Sequence, residues 1–284
     1  KVCSSSEQER FVRALTELEQ RKMQELANGT LRNYRPIVQR FIDWIPEDCE
    51  ISKELVMDFK EYLTKELGAT STRNHNIVVV DKFLKWLGHQ DCTVKIFRVQ
   101  RRQSNEEIIT IAEYKKMMRK AKEIGDFQTY NIMKILVMTG IRVGELKFFT
   151  VENLDDYYID VTNKGKERKI IMRQDLRRDL KKYAKEQGIK KGFLFPSPVN
   201  DGKMVSDVTI WRRMKKLAGL AKVKKKKVHA HSFRHLFAQI YMSDGGNFND
   251  LSDILGHSSL ETTRLYTRTS DSQKRHNLER LKFS

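Results

Sequence analysis

Cysteine and proline are scarce in this chain of 284 residues, which holds three of the first and four of the second. Cys3, Cys49 and Cys92 are odd in number and far apart, which argues against a disulfide framework and a zinc finger and fits a reducing compartment. Long apolar runs are missing as well. No stretch approaches the roughly 20 residues needed to cross a bilayer, so no membrane partner is expected. The opening KVCSSSEQERF has no apolar signal region either. These absences point to a cytoplasmic protein. There is no initiator Met, so the chain is expected to be part of a longer protein.

Acid is the other deficit. Asp and Glu number 37 against 55 Lys and Arg, for a formal charge of +18. Such an excess favours a polyanionic partner, most often nucleic acid. The excess is also concentrated. Between Trp211 and Lys227 stand Arg212, Arg213, Lys215, Lys216, Lys222, Lys224, Lys225, Lys226 and Lys227, with no acid among them. A run this dense repels itself unless solvent or phosphate neutralises it.

What is present reads mainly as helix. In TLRNYRPIVQRFIDWI, Leu31, Tyr34, Val38, Phe41, Ile42 and Ile45 share a helical face, with Pro36 expected to kink the helix or delay its start. SKELVMDFKEYLTKELG opens on Ser52 as cap and stops at Gly68; STRNHNIVVVDKFLKWLG repeats the design from Ser71 to Gly88. Residues 1–97 therefore form a helical domain, and RVQRRQSNEE (98–107) is the linker. Thr110 and Glu113 make a capping box that starts a new helical region, which continues through YNIMKILVMTG and IRVGELKFF. YYIDV and RKIIM flank the polar turn TNKGKE and predict a β-hairpin with a basic tip. Helices resume to the end, among them LRRDLKKYAKEQG, HSFRHLFAQIYMSDGG, FNDLSDILG and SSLETTRLYTR, the last with a capping box from Ser258 to Glu261.

The chemistry-bearing residues gather around HAHSFRH. His231 and His235 are four apart, a helical metal spacing, but Ser232, Phe233 and Arg234 between them supply no carboxylate and lysines precede them. An anion clamp fits better. His231 and Arg234, three apart, can address one oxyanion, Arg with its planar fork and His with a proton exchangeable near neutral pH. Arg142 follows a helix-ending Gly in MTGIRVGELK, His257 enters a capped helix in LGHSSLETTRLYTR, and Tyr266 lies nine residues on. Singly, each has a plain structural explanation: an ion pair for Arg142, a cap for His257, a core aromatic for Tyr266.

Together, TGIRVGEL, HSFRH, LGHSSLETTRLY and the NKGKERKI hairpin resemble the tyrosine recombinase (phage integrase) family in order, spacing and flanking residues, over essentially the whole chain. The resemblance implies a mainly α fold with a small β-hairpin. A helical core-binding domain would precede a mixed α/β catalytic domain, residues 108–284, ending in a tail. It implies that Tyr266 attacks a DNA phosphodiester to give a 3′-phosphotyrosyl link, without metal, ATP or other cofactor. Arg142 and Arg234 would hold the non-bridging oxygens, His231 would assist the tyrosine proton, and His257 would bond the scissile phosphate. Lys164 would protonate the leaving 5′-oxygen. KGKER is one residue shorter than the family's usual run, so Lys166 stays an alternative. Glu145 matches the family's acidic position and would brace the site.

The partners so implied are double-stranded DNA carrying specific recombination sites, further copies of the chain in a tetramer exchanging tails, and accessory DNA-bending or directionality factors. The tail could equally fold onto its own domain. Integration or excision of a mobile element is the favoured role, with a removed N-terminal arm-binding domain. A Xer-like resolvase, a type IB topoisomerase or a telomere resolvase would use similar chemistry. The main rival is a non-catalytic DNA-binding protein, because FNDLSDILGHSSLETTRLYTR also resembles a helix-turn-helix.

Overall fold

The computed structural model describes residues 28–46, 49–98, 108–163, 166–199 and 202–256, together with Thr263 and Glu279. The chain divides into two compact units, Lys1–Arg102 and Gln103–Ser284.

In the first unit, helices α1 (Asn28–Trp44), α2 (Lys53–Glu66) and α3 (Thr70–Trp86) are followed by a short 3₁₀ turn, Gln90–Cys92. The apolar stripe of α1 buries Val38, Phe41, Ile42 and Ile45 against Phe59 and Leu63 of α2 and Val80, Phe83 and Leu84 of α3. The Phe59 ring meets Phe41 at 4.9 Å and Trp44 at 5.3 Å between centroids. Each such side chain contributes about 1.5–3 kcal/mol on leaving water, which lets α1 continue through Pro36 rather than start after it. Ser52 caps α2, its side chain accepting from the Leu55 N–H at 3.1 Å. Ser71 does not cap α3: the helix begins at Thr70, two residues earlier than that cap implies, with Ala69 at the cap and no side-chain bond there. Gly88 ends it as expected, at φ 92°.

The second unit contains helices α4 (Ile111–Glu123), α5 (Phe127–Thr139), α6 (Gln174–Glu186), α7 (Asp207–Leu220), α8 (Ala230–Ser243) and α9 (Phe248–Leu255), with strands β1 (Tyr158–Asn163) and β2 (Lys166–Ile171) between α5 and α6. The capping box of α4 is present in both directions, Thr110 N–H to Glu113 at 2.9 Å and Glu113 N–H to the Thr110 hydroxyl at 3.2 Å. Helix α5 is the centre of this unit. Apolar on nearly every side, it buries Ile132, Met133, Ile135, Leu136 and Val137 and packs on α4, α6, α7 and α8. It stops at Gly140, whose φ of 63° a residue with a Cβ adopts only with strain.

The segment IRVGELKFF, read above as helix, is a 3₁₀ stretch over Val143–Phe148. The cause lies in Glu145: its carboxylate turns back to accept from the Arg142 N–H at 2.8 Å, while its own N–H bonds the Arg142 carbonyl at 2.9 Å. This tight turn holds Arg142 at the outer edge of the helical core. The hairpin is tighter than its sequence implied. Pairing runs antiparallel from Tyr158↔Ile171 to Asn163↔Lys166, so the strands absorb most of TNKGKE and only residues 164 and 165 connect them. Ile159, Val161 and Ile170 face the core and Tyr158 and Ile171 face solvent, as strand alternation requires.

Candidate active site

Three segments end at one place. The C-terminus of α5 delivers Gly140 and then Arg142, helix α8 carries His231 and Arg234, and α9 closes at Leu255 before Gly256. Arg234 joins them. Its guanidinium donates to the Gly140 carbonyl at 2.6 Å and to the Leu255 carbonyl, and the residue is 1% exposed. A buried cation is costly unless its donors are met. Here it sits against the C-terminal ends of two helices, where unpaired carbonyls carry partial negative charge.

The pair His231 and Arg234 is thus split between surface and interior: His231 is exposed, Arg234 buried. They remain electrostatically coupled. Partial desolvation of the His231 ring, then the charges of Arg234 and of Arg142, hold its pKa below the ordinary histidine value. Arg142 and Arg234 are thus the two charges that bear on the His231 ring, and the Arg142 side chain is 39% exposed.

Glu145 lies under Arg142. Burial would raise its pKa, but the Arg142 N–H and the guanidinium groups of Arg168 and Arg142 outweigh that and keep it below the usual carboxylate range. One carboxylate oxygen faces the Arg142 guanidinium at 3.4 Å; the other takes both the Arg142 N–H and Arg168. Arg168, on β2, also donates to the Ile254 carbonyl at 2.6 Å. The sequence reading passed over Arg168. Its signal was a strand period in which position 168, two from the buried Ile170, faces inward and holds a charge instead of an apolar side chain.

His229 was also missed. It caps α8, with its Nδ1 accepting from the Ser232 N–H at 3.2 Å and its Nε2 lying 2.8 Å from the Ser232 hydroxyl. The fixed start of α8 sets the rotation that exposes His231 and buries Arg234. His235 is half-buried on the same helix.

Lys164, His257 and Tyr266 lie outside the described residues. Lys166 is the first residue of β2. Thr263, between His257 and Tyr266 in sequence, is buried and donates from its hydroxyl to Ser252 of α9 at 3.1 Å. Among the described residues no cluster of three or more His, Cys, Asp or Glu could hold a metal ion, and no helix is long and apolar enough to cross a membrane.

The basic stretch divides in two. Arg212, Lys216, Lys224, Lys225 and Lys226 are exposed, and Lys215 is half-exposed. Arg213 turns inward to Gln128, and Lys227 forms an ion pair with Glu113 at 3.0 Å. That pair fastens the 3₁₀ turn Lys225–Lys227 to the capping box of α4.

The sequence model described as the phage integrase family matches residues 107–273. The tyrosine recombinase XerA of Pyrococcus furiosus is 26% identical over 262 residues, covering 89% of this chain and 88% of that one. XerC of Thermodesulfovibrio yellowstonii is 34% identical over 146 residues, about half (48%) the length of either protein. Among solved structures, the Tn1549 transposon integrase in complex with transposon right end DNA superposes with a TM-score of 0.74 at 17% identity, over 95% of this chain and 99% of that one. A λ integrase dimer bound to a COC′ core site gives 0.74 at 18% identity, over 93% and 78%. The chain belongs to the phage integrase family, the tyrosine recombinases.

Proposed function

We propose that this protein is a site-specific DNA recombinase that cuts and rejoins strands through a phosphotyrosine at Tyr266. The observation that supports the reading is the tie between these segments: Arg234 of α8 donates to the Gly140 carbonyl, two residues before the part-exposed Arg142, and His231 on the same helix feels the charge of both arginines. Tyr266 Oη attacks phosphorus, the P–O5′ bond breaks, and the 5′-oxygen takes a proton from Lys164, with Lys166 as the alternative donor. A free phenol has a pKa of about 10 and is a weak nucleophile at neutral pH. Guanidinium charge at Arg142 and Arg234 stabilises both the phenolate and the pentavalent transition state. His231, biased toward neutral imidazole, accepts the tyrosine proton, and His257 donates to a non-bridging oxygen. The phosphotyrosine keeps the energy of the cut bond, so rejoining consumes no ATP and no metal is required.

Arg212, Lys215, Lys216, Lys224, Lys225 and Lys226 then contact the duplex through phosphates. The functional unit is a tetramer on two synapsed sites with tails exchanged, assisted by accessory DNA-bending or directionality factors, in the cytoplasm of a bacterium. The helical domain 1–97 and the catalytic domain 108–284 each contact the DNA, with 98–107 as the linker. Integration and excision of a mobile element is the role we favour. Xer-like resolution is the second reading, favoured by the alignment with XerA along nearly the whole of both chains.

A nicked suicide duplex carrying the cognate site tests the chemistry. A covalent protein–DNA adduct is expected with wild type and none with Tyr266→Phe. Binding without an adduct would instead mark a non-catalytic DNA-binding protein. Exchange between sites on two molecules, against exchange only between direct repeats on one, separates integrase from resolvase.

A further inference from the structure

We propose that Arg168 is a positioning residue for strand cleavage, orienting Glu145 and through it Arg142. The proposal rests on the recombinase reading above. Its grounds lie in the hairpin. Position 168 faces inward with Ile170, where strand alternation calls for an apolar side chain, yet it carries a guanidinium only 14% exposed. The hairpin does not need that charge, since its register is set by backbone pairing and by Ile159, Val161 and Ile170.

Stability alone does not account for it either. A buried ion pair is often no more stabilising than well-packed apolar residues of similar volume, and its best-attested use is to fix a geometry. The geometry fixed here is specific. Arg168 holds Glu145 Oε2, and the same oxygen receives the Arg142 N–H at 2.8 Å. Oε1 is thereby left facing the Arg142 guanidinium. The second Arg168 fork reaches the Ile254 carbonyl at 2.6 Å, and its Cδ lies so close beneath Gly256 that a Cβ there would come within 2.6 Å. One side chain thus locks the hairpin to both the Arg142 turn and the end of α9.

The test uses single-turnover cleavage of two suicide duplexes, one native and one with a methyl group replacing a non-bridging oxygen of the scissile phosphate. The methylphosphonate is neutral, so cleavage forms the same Oη–P bond and breaks the same P–O5′ bond with one less charge for Arg142 to offset. Arg168→Met is expected to bind DNA within about twofold of wild type and to cut the native duplex about 100-fold more slowly, the scale of a 1 Å misplacement. Its deficit on the neutral duplex should shrink at least about tenfold, in parallel with that of Arg142→Ala. Arg168→Lys should restore part of the native rate. Should Arg168→Met not fold, Arg168→Lys and Glu145→Gln carry the same comparison.

An equal deficit on both duplexes in a folded variant overturns the proposal and leaves the recombinase reading intact. If Arg142→Ala keeps its full deficit on the neutral duplex, the charge-offsetting role of Arg142 falls, and this proposal with it. Wild type forming no adduct on a duplex it binds overturns the recombinase reading and this proposal together.

Discussion

Arg234 donates to the carbonyl of Gly140 at 2.6 Å, so a residue that the sequence marks for a phosphate clamp is also built into the packing of the core. Its other terminal nitrogen holds Leu255, and the two bonds tie the ends of α5 and α9 to α8. The site's shape and its charge therefore depend on the same side chain.

The consequence is a contrast between the two arginines. Arg234→Lys keeps the charge but cannot span both carbonyls, and each buried acceptor left unmet costs about 1–3 kcal/mol. The denaturation midpoint should fall accordingly. Arg142→Lys, on a side chain 39% exposed, should stay within about 1 kcal/mol of wild type. Both should lose adduct formation. Equal midpoints for the two variants in urea would show that the Arg234 bonds are not structural.

His231 gives a pH dependence with a defined sign. Its pKa in the fold lies below the ordinary 6.5, through partial desolvation and the charges of Arg234 and Arg142. The neutral ring is the proton acceptor, so cleavage should hold through neutral pH and fall only as pH drops through that lowered pKa. The unfolded chain binds the proton more readily, so stability also declines as pH falls below 6.5. A pH–rate profile of single-turnover cleavage should lose its acid limb in His231→Gln. An unchanged limb would assign it to another group.

Glu145 adds a second titration, lower on the scale. Burial opposes its ionisation, but the Arg142 N–H and the Arg168 and Arg142 charges more than offset this and hold its pKa below 4.5. Its contribution is complete above 4.5 and disappears as pH falls through the folded value. Glu145→Gln leaves Arg168 buried beside a neutral partner, so it should lose about 3 kcal/mol at pH 7. It should also show a shallower loss on acidification, read by urea midpoints from pH 7 to 3.

These residues show how far a sequence can be read. Helix α1, with its apolar stripe, was legible because periodicity records burial directly. So were the Thr110–Glu113 box and the stop at Gly140, which rest on contacts within a few residues. Ser71 failed as a cap because Thr70 already lay within the helix, a shift of two residues, from Ser71 to Ala69, that propensity does not resolve. The partners of Arg234 and Arg168, at Gly140, Leu255, Glu145 and Ile254, were illegible because tertiary packing sets them. His229 had no visible role in the sequence because its partner, the Ser232 N–H, is set by where α8 starts.

The lysine-rich stretch offers a prediction that separates phosphate contacts from scaffold. Arg212, Lys224 and Lys225 are exposed, whereas Lys227 is mostly buried on Glu113 at 3.0 Å. A lysine that neutralises a phosphate releases counterions, so each lost contact should reduce the slope of log K against log salt by about 0.9. Replacing Arg212, Lys224 and Lys225 together with alanine should therefore weaken binding uniformly across DNA sequences and flatten that slope by about 2.7, with the denaturation midpoint unmoved. Lys227→Ala should do the reverse. Its ammonium fastens the 3₁₀ turn before α8 to the capping box of α4, so its loss should cost about 1–2 kcal/mol of stability and leave the slope intact. Fluorescence anisotropy at four salt concentrations and a urea titration decide between these outcomes. A flattened slope in Lys227→Ala would show that its ion pair opens to let the lysine reach DNA.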